Sequence, residues 1–183
     1  MASIVSVEQI KGLAAGSTPN TITIPAGHTL DATAGDLVAS GMTLQTVFNN
    51  FGNNDNGTSD AFFDTSVNIS ITTQKANSKI LYNGMLGFNA SSSKYMHARL
   101  LRRVGGSDTE VWAPGRISPA GQTSSAGDLE SWHSFIYIDE PNQPAGTTVE
   151  YRIQIRNSGV YPGGSARIGD NANSFVYLQE IAQ

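Results

Sequence analysis

Residues 148–157 read TVEYRIQIRN, with Val149, Tyr151, Ile153 and Ile155 alternating with Glu150, Arg152, Gln154 and Arg156. A period of two places the first set on one side of an extended chain and the second set on the other. The stretch therefore predicts a β-strand with its apolar side buried and its charged side in water.

The same signature recurs outward from it in both directions. SVNISITT (66–73) alternates Val67, Ile69 and Ile71 with polar residues, and YMHARLLRR (95–103) sets Met96, Ala98 and Leu100 against Tyr95, His97, Arg99, Leu101 and Arg103. KILYNGMLGFN (79–89), SWHSFIYIDEP (131–141) and SFVYLQEI (174–181) are further strand candidates, and SARIG (165–169) is a shorter one. EVWAPG (110–115) predicts a short edge strand stopped by Pro114, because proline cannot donate to a ladder. Gly84 and Gly87 inside the 79–89 run predict a bulge or a close backbone approach. Turn residues separate these runs: Gly105-Gly106, Pro141-Asn142, Gly146 and Pro162-Gly163-Gly164. About eight strands at this spacing, without intervening helical patterns, mean an antiparallel sandwich or barrel. The expected fold is all-β, an antiparallel jelly-roll β-sandwich over 58–183.

Two segments precede it. TLQTVFNNFG (43–52) places Leu44, Val47, Phe48 and Phe51 at i, i+3, i+4 and i+7, with Thr43 able to cap and Gly52 to terminate. Its β-branched residues and asparagines make it a weak helix that must dock to persist. Residues 42–57 are thus expected as one short helix and a Gly/Asn-rich connecting loop. Residues 1–41 are small-residue-rich, with isolated apolar side chains such as Ile4, Val5, Val7, Ile10, Ile22 and Ile24. Pegs spaced this way cannot make a core of their own. They predict an extended arm that lies along another surface.

Composition narrows the function. Of 183 residues only 14% are charged, against roughly 25% in ordinary soluble proteins, and the net charge is −4. A nucleic-acid partner would want a basic face. The absence of cysteine excludes disulfides, thiolate metal sites and a cysteine nucleophile. No run approaches the ~20 apolar residues of a membrane span. The opening Met1–Glu8 lacks the basic flank and apolar run of a signal peptide, which predicts synthesis without a secretory signal.

Chemistry-bearing patterns are few. His28, His97 and His133 are far apart and match no metal-ligand spacing. No nucleophile elbow is present. The FGNNDNGTSD loop (51–60) does not fit the EF-hand register. The expectation is a protein that is not an enzyme and needs no cofactor or metal. Arg99, Arg102 and Arg103 could bind phosphate or an acidic partner; the plainer reading is a solvated strand end that discourages edge pairing. Trp112 and Tyr161 could stack on a sugar ring.

Several strands are apolar on both faces: Val176 and Leu178 oppose Phe175 and Tyr177, and Trp132, Ile136 and Ile138 oppose Phe135 and Tyr137. A lone sandwich buries one face of each strand. Either the N-terminal segment or a loop covers the second face, or that face is a subunit interface, expected around a three-fold axis. Candidate trimer-packing residues are Leu44, Val47, Phe48, Phe51, Phe175 and Tyr177.

MASIVSVEQIKG with NTITIPAGHTLDATAGD resembles the leader of small structural proteins of tailed bacteriophages. SWHSFIYIDEPNQPAGTTVEYRIQIR and SFVYLQEIAQ are similar to the C-terminal strands of the tumour-necrosis-factor-like jelly rolls in those proteins. The similar stretches span about half the chain, and no extended repeat or coiled-coil shaft accompanies them. The resemblance implies a virion-surface homotrimer, a capsid decoration (cement) protein or head fibre. Its arm, through Ile4, Val5, Val7, Ile10, Ile22 and Ile24, would contact the major capsid protein or another virion protein. The alternative it implies is a tail-fibre or receptor-binding tip that takes host surface carbohydrate through Trp112 and Tyr161. Neither reading involves nucleic acid or membrane insertion.

Overall fold

The computed structural model describes residues 38–52, 55–90, 95–117, 129–158, 166–168 and 174–183. Ten strands form in this part: β1 (Thr43–Phe51), β2 (Asp55–Gly57), β3 (Phe63–Thr72), β4 (Lys79–Ala90) and β5 (Tyr95–Val104), then β6 (Ser107–Arg116), β7 (Leu129–Asp139), β8 (Thr148–Ser158), β9 (Ala166–Ile168) and β10 (Ser174–Ile181). All pairings are antiparallel.

The strands make two sheets. In the second, the order is β3-β8-β5-β6. In the first, β4 pairs β7 along one side; along the other it pairs β10 over Lys79–Met85 and β9 over Phe88–Ala90. β1 adds outside β10 and β2 outside β9. With β1/β2 and β9/β10 counted as one broken ribbon each, eight ribbons pair in the orders 1-8-3-6 and 2-7-4-5. That is the jelly-roll arrangement expected from the strand spacing.

The strand over 148–157 behaves as its alternation requires. Val149, Tyr151, Ile153 and Ile155 are buried, and the residues between them reach the surface of the second sheet. They meet Ile80, Tyr82, Leu86, Phe88, Val176 and Leu178 from the first sheet in one continuous core. Between β5 and β6, Gly105 (φ 57°) and Gly106 (φ 85°) form a two-residue turn whose positive φ angles suit the strand twist and suit glycine.

The helix expected over 43–52 is not there: those residues form β1, paired to β10 from Thr43↔Ile181 to Phe51↔Ser174. Leu44, Val47, Phe48 and Phe51 therefore do not share one face. Val47 and Phe51 turn toward the core, while Phe48 points to solvent. A β10 edge with free ladder groups wins over a weak helix, since β-branched Thr43, Thr46 and Val47 favour extended backbone. The connecting loop expected up to residue 57 likewise contains β2, so the sandwich begins at Thr43 rather than at 58. Pro114 does not stop β6, which runs to Arg116. As the edge of its sheet β6 leaves one side of the ladder free, and its register jumps between Ala98 and Leu100 of β5. The expected arm, 1–41, lies almost wholly outside the described residues.

The two glycines of β4 serve close approach, with no register shift at either. A Cβ at Gly84 would stand 2.8 Å from the Phe175 carbonyl oxygen and 2.9 Å from Val176 Cγ2. Backbone cannot yield as a side-chain tip can. Gly84→Ala is expected to lower unfolding free energy by about 1–3 kcal/mol, read as a shifted urea midpoint at unchanged slope.

Glu180 fastens β10 at the end of the first sheet. Its buried carboxylate accepts hydrogen bonds from Gln45 Nε2 (2.6 Å), the Gln74 amide (2.8 Å) and the Lys75 amide (3.0 Å). Burial pushes this carboxyl up, but those bonds and one from Ser78 together outweigh it, so the group lies below its ordinary value of 4.5. A depressed folded-state pKa means the stabilisation is complete above 4.5 and is lost as pH falls through the folded value. Glu180→Gln should therefore be less stable than the parent at pH 7 and show a flatter decline below about pH 4.5, measured by urea unfolding across pH.

Candidate functional site

The two outer faces of the sandwich differ in chemistry. On the second sheet the outward side chains are polar, and three of its arginines are paired with carboxylates. Arg152 reaches Asp64 at 2.8 Å, Arg103 grips Asp108 with two bonds of 2.7 Å, and Arg99 meets Glu110 at 3.0 Å. A hydrogen bond from Gln154 chiefly holds the Asp64 carboxyl below its ordinary range, and one from Arg103 does so for Asp108. These pairs satisfy most of the charge on that face and suit water.

The first sheet presents an apolar outer face. Ladder register places Phe48, Tyr177, Asn83 and Ile136 in one row across β1, β10, β4 and β7. Asn50, Phe175, Met85 and Ser134 lie in the next row on one side, and Thr46, Gln179, Leu81 and Ile138 on the other. Beyond them the Trp132 ring covers Gly87, at 3.2 Å from where a Cβ would sit. Phe48 is 58% exposed, Ile136 64%, Ile138 55% and Trp132 44%. The Phe48 and Phe175 rings stack at 6.1 Å, and Asn83 Nδ2 donates to the Tyr177 hydroxyl at 2.6 Å. Monomers seldom leave so many large apolar side chains together on one open face, and such a patch marks an interaction site.

Of the predicted packing residues, Phe48, Phe175 and Tyr177 come together here. Val47 and Phe51 face the core, Phe51 wholly buried in it, while Leu44 is half-buried near the end of β1. Ile136, Ile138, Trp132, Leu81 and Met85 were absent from that set. Their signal was the two-faced apolar pattern of β4 and β7.

The remaining candidates scatter. Ile4, Val5, Val7, Ile10, Ile22, Ile24 and Tyr161 lie outside the described residues. Trp112 is no loop-tip platform: it packs edge-on to Phe135 at 5.2 Å and stacks with Tyr137 at 6.5 Å at the margin of the core. His97 and His133 belong to different sheets, His133 lying 3.1 Å from Ser131 Oγ and edge-on to Phe88. The three arginines singled out from the sequence all have carboxylate partners, Arg102 through Asp139. Among the described residues no cluster of His, Asp and Glu is arranged to hold a metal, and no helix is long and apolar enough to cross a membrane.

Fold and surface together define a jelly-roll β-sandwich with one apolar and one charge-paired outer face. No family model matches the chain, and no curated protein matches it. Among solved structures it is similar to the infectious bursal disease virus VP2 subviral particle, at 16% identity and TM-score 0.44, over 87% of this chain and 43% of that one. It is also similar to the T=1 particles derived from that virus, at 14% identity and TM-score 0.43, over 94% of this chain and 41% of that one. The chain spans less than half the length of either.

Proposed function

We propose that this chain is a virion structural protein that works by assembly and not by turnover, a capsid decoration protein or head fibre of a tailed bacteriophage. Its sandwiches associate as a homotrimer through the outer face of the first sheet, and the N-terminal arm attaches the trimer to the capsid. The observation that carries this reading is the apolar face around Phe48, Tyr177, Ile136 and Ile138, opposite a polar face on which most charges are paired. Burying it against copies of itself removes apolar surface at ~25 cal/mol per Å², while the charged sheet stays in water. The resemblance of the 1–36 leader and the late strands to phage structural proteins supports the same reading. Trp112 packed into the core margin offers the carbohydrate-binding alternative no support. Light scattering coupled to size-exclusion chromatography of the full chain tests the assembly: a trimer is expected, and a monomer at all concentrations up to crystallisation strength would remove the basis of the proposal.

A further inference from the structure

Among the arginines whose side chains are described, Arg156 alone has no carboxylate partner. Arg99, Arg102, Arg103 and Arg152 each reach one at 3.0 Å or less. The guanidinium of Arg156 lies over the Phe62 ring at 4.8 Å from its centre, and that of Arg99 lies over the same ring at 4.2 Å. Arg156 Nε is buried and has no hydrogen-bond acceptor. Arg152 Nη1 also lacks a hydrogen bond, but Asp108 stands 3.8 Å away and Asp64 answers the same guanidinium. Register sets His97 directly opposite Arg156 in the β5–β8 ladder, so the two share the outer face of the second sheet.

A buried donor without an acceptor costs free energy, and native structures keep such groups for a reason, a bound ion among them. The Phe62 ring fixes the guanidinium but supplies no lone pair. Nε itself is shielded from any outside group, but the Nη atoms of the same guanidinium are not buried without a partner, and an oxyanion there would supply the missing counter-charge through paired hydrogen bonds from the planar fork. We infer that Arg156, held on Phe62 beside Arg99 and His97, is the centre of a binding site for an oxyanion of the sulfate, phosphate or carboxylate class. The group is free in solution or carried on an acidic polysaccharide, and the chemistry of recognition is the same. This site stands on the opposite sheet from the proposed assembly face and does not depend on it.

The test is an NMR titration of the full chain that follows the arginine Nε–H signals. The probes are inorganic sulfate and inorganic phosphate, then dextran sulfate against neutral dextran. The Arg156 Nε–H is expected to shift saturably with at least one of the anionic probes, while neutral dextran moves nothing. Arg156→Gln should weaken that binding about tenfold or more, and Arg103→Gln should leave it unchanged. Arg156→Lys keeps the charge without the fork, so it should fold even where Arg156→Gln does not, and should bind more weakly than the parent. Saturation by the inorganic ions indicates a free anion, and saturation by dextran sulfate alone indicates a polymer-borne one. An Arg156 Nε–H signal that stays still, or moves linearly without saturating, overturns the site. So does parental affinity in a folded Arg156→Lys variant.

Discussion

Asp139→Ala is expected to remove about 3–5 kcal/mol of unfolding free energy, enough to threaten a domain of this size. Asp139 sits at the end of β7 in the first sheet, with its side chain only 5% exposed. Its two oxygens accept from Arg102 Nη1 at 2.9 and 3.0 Å, and one also accepts from the Tyr151 hydroxyl at 2.7 Å. Arg102 and Tyr151 belong to β5 and β8 of the other sheet, so this carboxylate bolts the two layers together. Burial first, and then the Asp139 charge, push the Tyr151 phenol far up, which keeps it a proton donor. Truncation would strand the guanidinium of Arg102, whose side chain is only 20% exposed, and a buried hydroxyl. The loss arises from those orphans more than from the bond itself. The double variant Asp139→Leu with Arg102→Met should therefore recover a large part of it. Urea midpoints of the two singles and the double give the coupling. A loss under about 1 kcal/mol for Asp139→Ala, or strict additivity in the double, would refute the bolt.

Much of the sandwich was legible where one face of a strand is buried and the other is not. β3 and β8 alternate cleanly for that reason, and their inward residues fill the core. β1 was misread because it is apolar on both sides. Phe48 points outward while Val47 and Phe51 point inward, and Leu44 completes an i, i+3, i+4, i+7 set by coincidence. A strand that serves both a core and a second surface loses its period of two, and a helix-like spacing emerges from the sum. Pro114 misled for another reason: a proline ends a central strand but is tolerated on an edge, and edge position is a property of topology.

The same two-faced patterns pointed to the outer face of the first sheet. β4 and β7 were visible as doubly apolar, yet which of their residues share a row with Phe48 and Tyr177 follows only from ladder register. The arginines show the limit more sharply. Sequence proximity drew attention to Arg99, Arg102 and Arg103, which are all paired across strands. Arg156 looked like one more solvent-facing residue of a regular strand. What distinguishes it is the missing carboxylate, a fact about neighbours contributed by other strands.

Ile136→Lys should convert the assembled protein to a monomer, with apparent dissociation constants raised about 100-fold or more, a change of about 2.7 kcal/mol or more. Ile136 is 64% exposed and shares the central row with Asn83, Tyr177 and Phe48. In an interface its side chain would be desolvated against apolar groups from another copy, and among the described side chains of its row and the two flanking rows there is no carboxylate for an ammonium in its place to meet. Burying an unpaired charge costs several kcal/mol, more than most rim contacts return. The same substitution should barely disturb the fold, because an outward, exposed side chain changes stability by only ~0.5 kcal/mol. The unfolding midpoint of the dissociated variant, extrapolated to low protein concentration, therefore ought to match that of the diluted parent. Gln154→Lys on the charged sheet serves as the control and should leave the assembly whole. Sedimentation velocity across a concentration series separates the cases. If Ile136→Lys remains as associated as the parent while Gln154→Lys dissociates, the copies meet through the other sheet and the apolar face has a different occupant.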